Sequence, residues 1–292
     1  MKKIIIYLNG IRGFYVLEKL MKNNYKDIIV FSDKKLKELE VYKKNPYIKI
    51  FYSKNINSNN HYAEVKKLKP HLSIVAGYSQ IFQERLINLP KFGTINLHAG
   101  PLPKYRGGSP LNWQIINGEK YIGISIIKMS EGIDEGLVLK KKYFLLKKND
   151  DIQTVHKKVN KLFPDILINI LKDIFNKKDR PVKQIEKKAQ YWHQRSDLDG
   201  RINWHLMKCN EIHNLIRALT KPYNGAYTYF NNLKVTIYKS RISNKKFCGT
   251  PGRVVKIKNN NLLVICADYG LCIEEYKFNN SNKQLSNGMH LN

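Results

Sequence analysis

The sequence lacks the long apolar segments of membrane and secreted proteins. No apolar run in the 292 residues reaches the roughly 18 residues that a membrane-spanning helix requires. The apolar stretch before Gly10 is also shorter than the roughly 7–15-residue core of a signal peptide, and it ends in a glycine turn. We therefore interpret that stretch as a first strand and expect a cytoplasmic protein with no membrane partner.

Cysteine is scarce as well. The four cysteines, Cys209, Cys248, Cys266 and Cys272, all fall late in the chain, and no two of them form a C-x-x-C pair. A zinc site or a redox pair would need such spacing. We therefore predict reduced, structural thiols and no metal.

Acidic residues are few: 23 Asp and Glu stand against 52 Lys and Arg, which gives a formal net charge of +29. A charge of this size is typical of nucleic-acid-binding proteins. The lysines are spread along the whole chain, however, and arginine supplies only a minority of the cations. We therefore expect solvated lysine surfaces and no nucleic-acid partner, although such a surface would attract an anionic small substrate.

Apolar periodicity divides the chain into two domains. In the first, short apolar runs alternate with amphipathic helices, which is typical of a parallel sheet with crossover helices. A long helix at 151–176 closes this α/β domain. We predict a catalytic domain over residues 1–180, a polar linker over 181–200 and a smaller domain over 201–292. The predicted strands of the first domain are 3–8, 28–31, 48–51, 72–77, 93–97, 122–128 and 136–140.

The second predicted domain is rich in short β-type runs. They follow a helix near 208–220 and are separated by turn residues, which favours a small β-barrel. Its apolar strands could also build a homodimer, and we expect the last dozen residues to be loose. The β-type runs are 226–230, 233–241, 253–257, 262–266 and 271–276.

The turn after the first strand is one candidate ligand site. Gly10 and Gly13 do not complete the G-x-G-x-x-G motif of dinucleotide-binding proteins. They fit either a tight strand-to-helix turn or a phosphate site at a helix N-terminus, where Arg12 could pair with the phosphate. Both interpretations stay open.

A second candidate site lies at the end of a later strand. Asn96 and His98 are two residues apart, so their side chains leave the same face of that strand. With Asp134 they would supply an amide for an oxyanion, an imidazole that transfers protons near neutral pH, and a carboxylate. This set suits acyl transfer. The spacing does not establish that Asp134 lies near the other two, so a structural role is an equal alternative.

Residues 95–139 resemble the catalytic core of the N10-formyltetrahydrofolate-dependent formyltransferases. The pattern of that family is N-x-H, a Leu-Pro-x-x-Arg-Gly loop and a later Asp in a Gly-rich turn. It matches Asn96, His98, residues 102–107 and Asp134. The family often has Ser-Leu-Leu-Pro where this chain has Gly-Pro-Leu-Pro at 100–103. The resemblance also covers the following segments: residues 75–81, similar to a pterin-binding loop, and residues 199–204, 216–218 and 222–226, similar to the start of the family's C-terminal domain.

The resemblance implies a Rossmann-like N-terminal domain, an OB-like C-terminal barrel and formyl transfer from N10-formyltetrahydrofolate to an amine, without a metal. It implies that Asn96 and His98 hold the oxyanion and that His98 or Asp134 accepts the amine proton. The cofactor-binding residues that it implies are Tyr78, Ser79, Gln80, Ile81, Leu102, Arg106 and Gly132.

Three hypotheses for the amine remain: a nucleotide-linked amino sugar, the methionyl group of initiator tRNA, or no amine, in a catalytically inactive binding protein. Residues 108–113 and 116–119 resemble the bacterial sugar formyltransferases, especially the domain that acts on UDP-4-amino-4-deoxy-arabinose. Residues 32–47 contain neither Gly nor Arg, unlike the basic insertion of the tRNA enzymes. We therefore expect a UDP-, dTDP- or GDP-linked amino sugar used for surface polysaccharide, with initiator tRNA as the alternative.

A nucleotide sugar needs a diphosphate clamp and a surface on which the base can stack. Each aromatic candidate has core packing as its alternative, which we favour for Trp204. Arg217 could reach an anion or cap the interface between the two domains. The substrate-binding candidates are Gly10, Arg12, Tyr105, Trp113, Arg217 and Tyr223.

Overall fold

A computed structural model describes residues 2–257 and 262–292. The chain forms two compact units, and their segments alternate along the sequence. The first unit runs to Gly107 and continues in Gly123–Phe144 and Lys157–Tyr191. The second consists of Gly108–Ile122, Leu145–His156 and the chain from Trp192 onward. Two stretches within the predicted catalytic domain therefore belong to the second unit. Met1 and residues 258–261, which the two predicted domains include, lie outside the described residues.

The main sheet follows the predicted alternation of strands and helices. Within the described chain its strand order is β3-β2-β1-β4-β5-β7-β8; β1 to β5 pair in parallel, and β7 runs antiparallel to β5. All five residues of β1 are buried, as expected of a strand covered on both faces. The predicted mixed α/β fold is thus confirmed. The strands are β1 (Ile4–Leu8), β2 (Ile28–Ser32), β3 (Ile48–Tyr52), β4 (Leu72–Ala76), β5 (Thr94–His98), the short β6 (Arg106–Gly107), β7 (Tyr121–Lys128) and β8 (Leu137–Leu145).

The helices begin and end where the apolar periodicity changes. The first begins directly after Gly10, and Gly13 lets it pack on β1 because a Cβ there would lie 2.2 Å from the Leu8 Cβ. Among the described residues, every helix is too short or too polar to cross a membrane. The helices are α1 (Ile11–Lys22), α2 (Asn59–Leu68), α3 (Glu84–Ile87), α4 (Pro110–Ile116), α5 (Ile152–Phe175) and α6 (Cys209–Leu219).

The second unit contains the predicted β-rich region, which forms an antiparallel sheet. Its order within the described chain is β10-β11-β14-β13-β12. Trp204 is buried here and donates its indole N–H to the Thr228 Oγ1 at 2.9 Å, which confirms the core interpretation of this tryptophan. The strands of this sheet are β10 (Ala226–Phe230), β11 (Leu233–Ile242), β12 (Val254–Lys256), β13 (Leu262–Ile265) and β14 (Gly270–Phe278). The two-residue β9 (Tyr191–Trp192), which begins in the first unit, pairs with β6 in a separate small sheet.

The last residues are not loose, contrary to expectation. Asn292 exchanges two backbone hydrogen bonds with Tyr229 of β10, at 2.8 and 3.0 Å. On the other side, the Leu291 N–H donates to the Gly252 carbonyl, and the Val254 N–H of β12 donates to the Met289 carbonyl. The tail therefore joins both edge strands and closes the sheet into a barrel. This pairing could not be predicted from the polar sequence of the tail, because it consists of backbone hydrogen bonds, which produce no hydrophobic pattern.

The segment predicted as a linker at 181–200 also differs from that prediction in its first half. Val182 exchanges backbone hydrogen bonds with Val138 of β8, and the Arg106 N–H donates to the Gln190 carbonyl at 3.0 Å. Gln184 is buried within the first unit. Residues 181–191 are therefore part of the catalytic unit and lie against its candidate site.

Candidate active site

Asn96, His98 and Asp134 lie together in the first unit. Asn96 and His98 are on β5, and Asp134 is in the turn between β7 and β8. The Asn96 Nδ2 lies 3.3 Å from one Asp134 oxygen, and the His98 Nδ1 lies 3.3 Å from the other. The structure therefore answers the question that the spacing left open: the carboxylate stands between the amide and the imidazole.

The turn that carries Asp134 is held tightly. Asp134 has a φ of 56°, a left-handed conformation that Asp tolerates better than most residues. Its carboxylate also accepts a hydrogen bond from the Gly107 N–H at 2.9 Å. A Cβ at Gly136 would lie 1.9 Å from the Lys128 carbonyl oxygen, so only glycine lets the turn pack on the end of β7. The position of the carboxylate is thus fixed by the local backbone.

His98 is buried and oriented by the loop that follows β5. Its Nε2 is hydrogen-bonded to the Tyr105 carbonyl oxygen, which can only accept, so Nε2 carries a hydrogen and Nδ1 faces Asp134. Ser125 of β7 holds the same loop by donating to the Gly100 carbonyl at 2.8 Å. A Cβ at Gly100 would lie 2.7 Å from the His98 Nε2, so the glycine lets this loop approach the ring.

Asn96 is the most accessible residue of β5: its neighbours on the strand are buried, whereas Asn96 is half-buried. Among the described residues, only one hydrogen bond of its side chain is formed, the donation to Asp134. Because an amide nitrogen carries two hydrogens, one N–H remains for a ligand. The cluster can therefore donate to a developing oxyanion and, through His98 and Asp134, accept a proton.

The predicted pterin-binding loop follows β4 directly. Gly77 has a φ of 74°, and after it Ser79 and Ile81 are exposed, Ile81 by 70%. Burial, and secondarily the charge of Asp33, raises the pKa of the Tyr78 phenol, which keeps it neutral. The Gln80 side chain holds the loop by donating to the Lys54 carbonyl. The cofactor roles of these residues stay predictions.

The other predicted cofactor residues, Leu102, Arg106 and Gly132, are enclosed by neighbouring side chains of the first unit. Leu102 is buried in a cluster with Ile127 and Val138. The Arg106 guanidinium is 0% exposed and hydrogen-bonded to other side chains of the first unit. A Cβ at Gly132 would meet the Glu135 carboxylate. Any cofactor contact of Leu102 or Arg106 would therefore come from the backbone.

The substrate-binding candidates of the first unit have different environments. Tyr105 contradicts the prediction of a stacking surface, because its side chain is only 1% exposed. Arg12 donates to the Asn160 Oδ1 at 3.4 Å and its guanidinium lies 5.2 Å from the centre of the Phe163 ring. Gly10 faces open space, since nothing lies within 4 Å of the position of a Cβ. The α1 N-terminus is therefore accessible to a ligand.

The candidates of the second unit are Trp113, Tyr223 and Arg217. The Trp113 ring packs on Trp192 at 5.1 Å. The Tyr223 hydroxyl is 3.0 Å from the His156 Nε2. Arg217 donates to the carbonyl oxygens of Lys147 and Asp150, at 3.3 and 3.0 Å, and burial lowers its pKa. The guanidinium of Arg217 thus binds backbone carbonyls within its own unit, and its substrate-binding role stays a prediction.

Several polar residues around the cluster were missed by the sequence analysis. Gln184 donates to the carbonyls of Asp134 and Gly136, and Tyr191 donates to Glu135. The polar composition of 181–200 indicated only a linker, so no signal pointed to Gln184 or Tyr191. Among the described residues, no group of three or more His, Cys, Asp or Glu side chains could hold a metal.

Sequence comparison identifies the class of protein. The sequence model of the family described as formyl transferase matches residues 2–171, and that of the formyl transferase C-terminal domain matches residues 196–287. The chain therefore belongs to the formyl transferase family. It is an enzyme, a formyltransferase with both domains of that family.

The individual proteins that this chain resembles carry different names. The methionyl-tRNA formyltransferase of Caldanaerobacter subterraneus subsp. tengcongensis is 37% identical over 237 residues, which cover 81% of this chain and 76% of that protein. The bifunctional polymyxin resistance protein ArnA of Wigglesworthia glossinidia brevipalpis is 35% identical over 89% of this chain, which spans only 40% of that relative. Among solved structures, an N-formyltransferase from Helicobacter canadensis in complex with folinic acid and dTDP-3-aminofucose has a TM-score of 0.75 at 21% identity, covering 94% of this chain and 99% of that one.

Proposed function

We propose that this formyltransferase moves a formyl group from N10-formyltetrahydrofolate to the amine of a nucleotide-linked amino sugar, in the cytoplasm, for surface polysaccharide synthesis. The observation that carries the proposal is the cluster of Asn96, His98 and Asp134, with one amide N–H left for a ligand. A catalytically inactive protein would have no need to keep all three groups in contact.

Each residue of the cluster has a chemical role. When bound, N10-formyltetrahydrofolate supplies the formyl carbon, whose bond to N10 breaks after the new bond to the amine nitrogen has formed. Asn96 donates its free N–H to the oxygen of the tetrahedral centre, which is worth about 10²–10³ in rate. The proton lost by the amine passes to the His98 and Asp134 pair, whose facing atoms lie 3.3 Å apart, and the pair returns a proton to the leaving N10, so that the transfer balances.

The loop after β4 fits a flat heterocycle such as the pterin. Within the described residues, the backbone N–H groups of Tyr78, Ser79 and Gln80 form no hydrogen bond. Unpaired backbone donors on an exposed loop can meet the edge of such a ring. Asn57 donates to the Ile81 carbonyl at 2.8 Å and so steadies the loop without occupying those donors.

The α1 N-terminus supports a phosphate-bearing acceptor. Gly10 caps this helix without a side-chain bond, the first turn has no acidic residue, and the space above Gly10 is open. Such a terminus presents backbone N–H groups and a partial positive charge. The Helicobacter canadensis relative bound to dTDP-3-aminofucose offers a second reason to favour a nucleotide sugar.

Initiator methionyl-tRNA is the second candidate acceptor. The Caldanaerobacter relative carries that name at 37% identity, and the net charge of +29 suits a polyanion. A tRNA substrate would bind more weakly with each increase in salt. Because no separate basic block or arginine-rich insertion follows β2, we rank the sugar above the tRNA.

The test is to mix the protein with N10-formyltetrahydrofolate and a panel of UDP-, dTDP- and GDP-linked amino sugars, with charged initiator tRNA as a parallel acceptor. Mass spectrometry detects the gain of one formyl group, and Asn96→Ala is the control. A formylated sugar that is absent with Asn96→Ala supports the proposal. Formylation of methionyl-tRNA alone would contradict it.

A further inference from the structure

The position of Asp134 depends on a buried glutamine from a distant part of the first unit. Gln184 lies fifty residues further along the chain, and its side-chain amide donates to the Asp134 carbonyl at 2.6 Å and to the Gly136 carbonyl at 2.8 Å. Both hydrogens of the amide nitrogen are thus used on the two ends of the turn that carries the carboxylate. The backbone of Asp134 has a left-handed conformation, which is unfavourable for a residue with a side chain. The Gln184 amide binds the carbonyls of Asp134 and Gly136 and so holds the turn.

The glutamine is itself held in place. Its Oε1 accepts from the Arg106 Nε at 3.2 Å and from the Arg106 Nη2 at 3.1 Å. The guanidinium is fully buried and also bonded to Glu186, whose side chain is 63% exposed. Because a guanidinium only donates, the amide of Gln184 can have only one orientation: oxygen toward Arg106 and nitrogen toward the turn.

We propose that Gln184 is a positioning residue of the formyl-transfer site: it fixes the Asp134 turn so that the carboxylate stands between Asn96 and His98. This inference rests on the proposed function, because it takes Asp134 as a catalytic carboxylate. Gln184 touches no reacting atom. It acts through the backbone at Asp134 and Gly136, and Arg106 orients it.

Two substitutions separate this role from a purely structural one. Gln184→Glu keeps an oxygen for Arg106, and gains charge against the guanidinium, but it cannot donate to the two carbonyls. Glu186→Gln weakens the two hydrogen bonds between Arg106 and residue 186 and leaves the contacts of Gln184 with the turn in place. The first variant therefore keeps an acceptor for Arg106 but breaks the contact with the turn, because it sets a carboxylate oxygen against the two carbonyl oxygens. The second serves as the matched control for the Arg106 network. Gln184→Met removes the hydrogen bonds to Arg106 as well as those to the turn, and it is included in case the glutamate variant fails to fold.

The experiment measures formyl transfer to the acceptor that the wild type uses, sugar or tRNA, together with melting temperature. We expect Gln184→Glu to lower kcat about 100-fold, as a misplaced catalytic group does, with the KM for N10-formyltetrahydrofolate changed less than about threefold. Glu186→Gln should keep kcat within about twofold of the wild type. Equal kcat values for Gln184→Glu and Glu186→Gln would overturn the inference.

A readout without activity distinguishes the two proposals. The Gly107 N–H donates to the Asp134 carboxylate, so its NMR resonance reports where that carboxylate lies. We expect this resonance to move in Gln184→Glu and in Gln184→Met, and to stay in Glu186→Gln. A full rate in Asp134→Asn would contradict the proposed role of the carboxylate, whereas an unmoved Gly107 resonance in both Gln184 variants would contradict the role of the glutamine.

Discussion

Replacing Asn96 by Asp tests whether its side chain contacts Asp134 in solution. The substitution puts an oxygen where the amide nitrogen now lies 3.3 Å from the Asp134 carboxylate. Two like charges at 3.3 Å repel by about 5 kcal/mol at an effective dielectric constant of about 20. That figure is an upper limit, since a shared proton or movement of the new side chain would relieve it. Asn96→Ala removes the donor without adding the repulsion.

The two variants should therefore lose activity to the same extent but differ in thermal stability. We expect kcat to fall about 10²–10³-fold in both, because each loses the oxyanion donor. Thermal unfolding should show Asn96→Ala close to the wild type and Asn96→Asp lower by several degrees, since 1 kcal/mol corresponds to about 2–4 °C in a protein of this size. Equal melting temperatures of the two variants would refute the contact between Asn96 and Asp134.

Two further predictions concern stability. Leu291→Ala should cost about 2–5 kcal/mol, because Leu291 is fully buried in the tail that closes the barrel, whereas Leu206→Ala, at a side chain 77% exposed in the same unit, should cost little. Chemical denaturation of both variants checks this, and equal costs would contradict the packing of the tail. Burial lowers the pKa of His61 to about 4 from an ordinary 6.5, so the unfolded chain binds its proton first as the pH falls, and stability decreases below about pH 6.5. We expect a loss of about 2 kcal/mol between pH 7 and pH 5 that His61→Phe largely removes, measured by denaturant titration at both pH values; an unchanged pH dependence in His61→Phe would rule out His61 as the source.

The sheet could be predicted because its strands are continuous apolar runs. β1 and β4 are buried on both faces, so every residue contributes to the signal. The pairing of Asn96 with His98 followed from the two-residue repeat of a strand. The place of Asp134 did not follow, because it depends on a left-handed turn between two later strands, and the family resemblance was needed to include it.

What could not be predicted depends on hydrogen bonds of polar side chains and of the backbone. Gln184 lies in a stretch whose composition indicates a linker, yet it is buried because Arg106 and two carbonyls satisfy its amide. Tyr105 looked like a stacking surface, but it is covered. Periodicity reports only apolar burial, and a buried polar group leaves no repeat in the sequence.

The alternation of segments between the two units has a consequence for synthesis. Asn112 of α4 donates to the Ala218 carbonyl of α6 at 2.8 Å, across 106 residues of sequence. At about 5–20 residues per second, α4 leaves the ribosome roughly 5–20 s before the partner on which it packs exists. During that interval the side of α4 that packs on α6 lacks this partner. A fragment that begins at Trp192 would lack α4 altogether, so exchange of the second unit between relatives requires residues 108–122 and 145–156 to be moved with it.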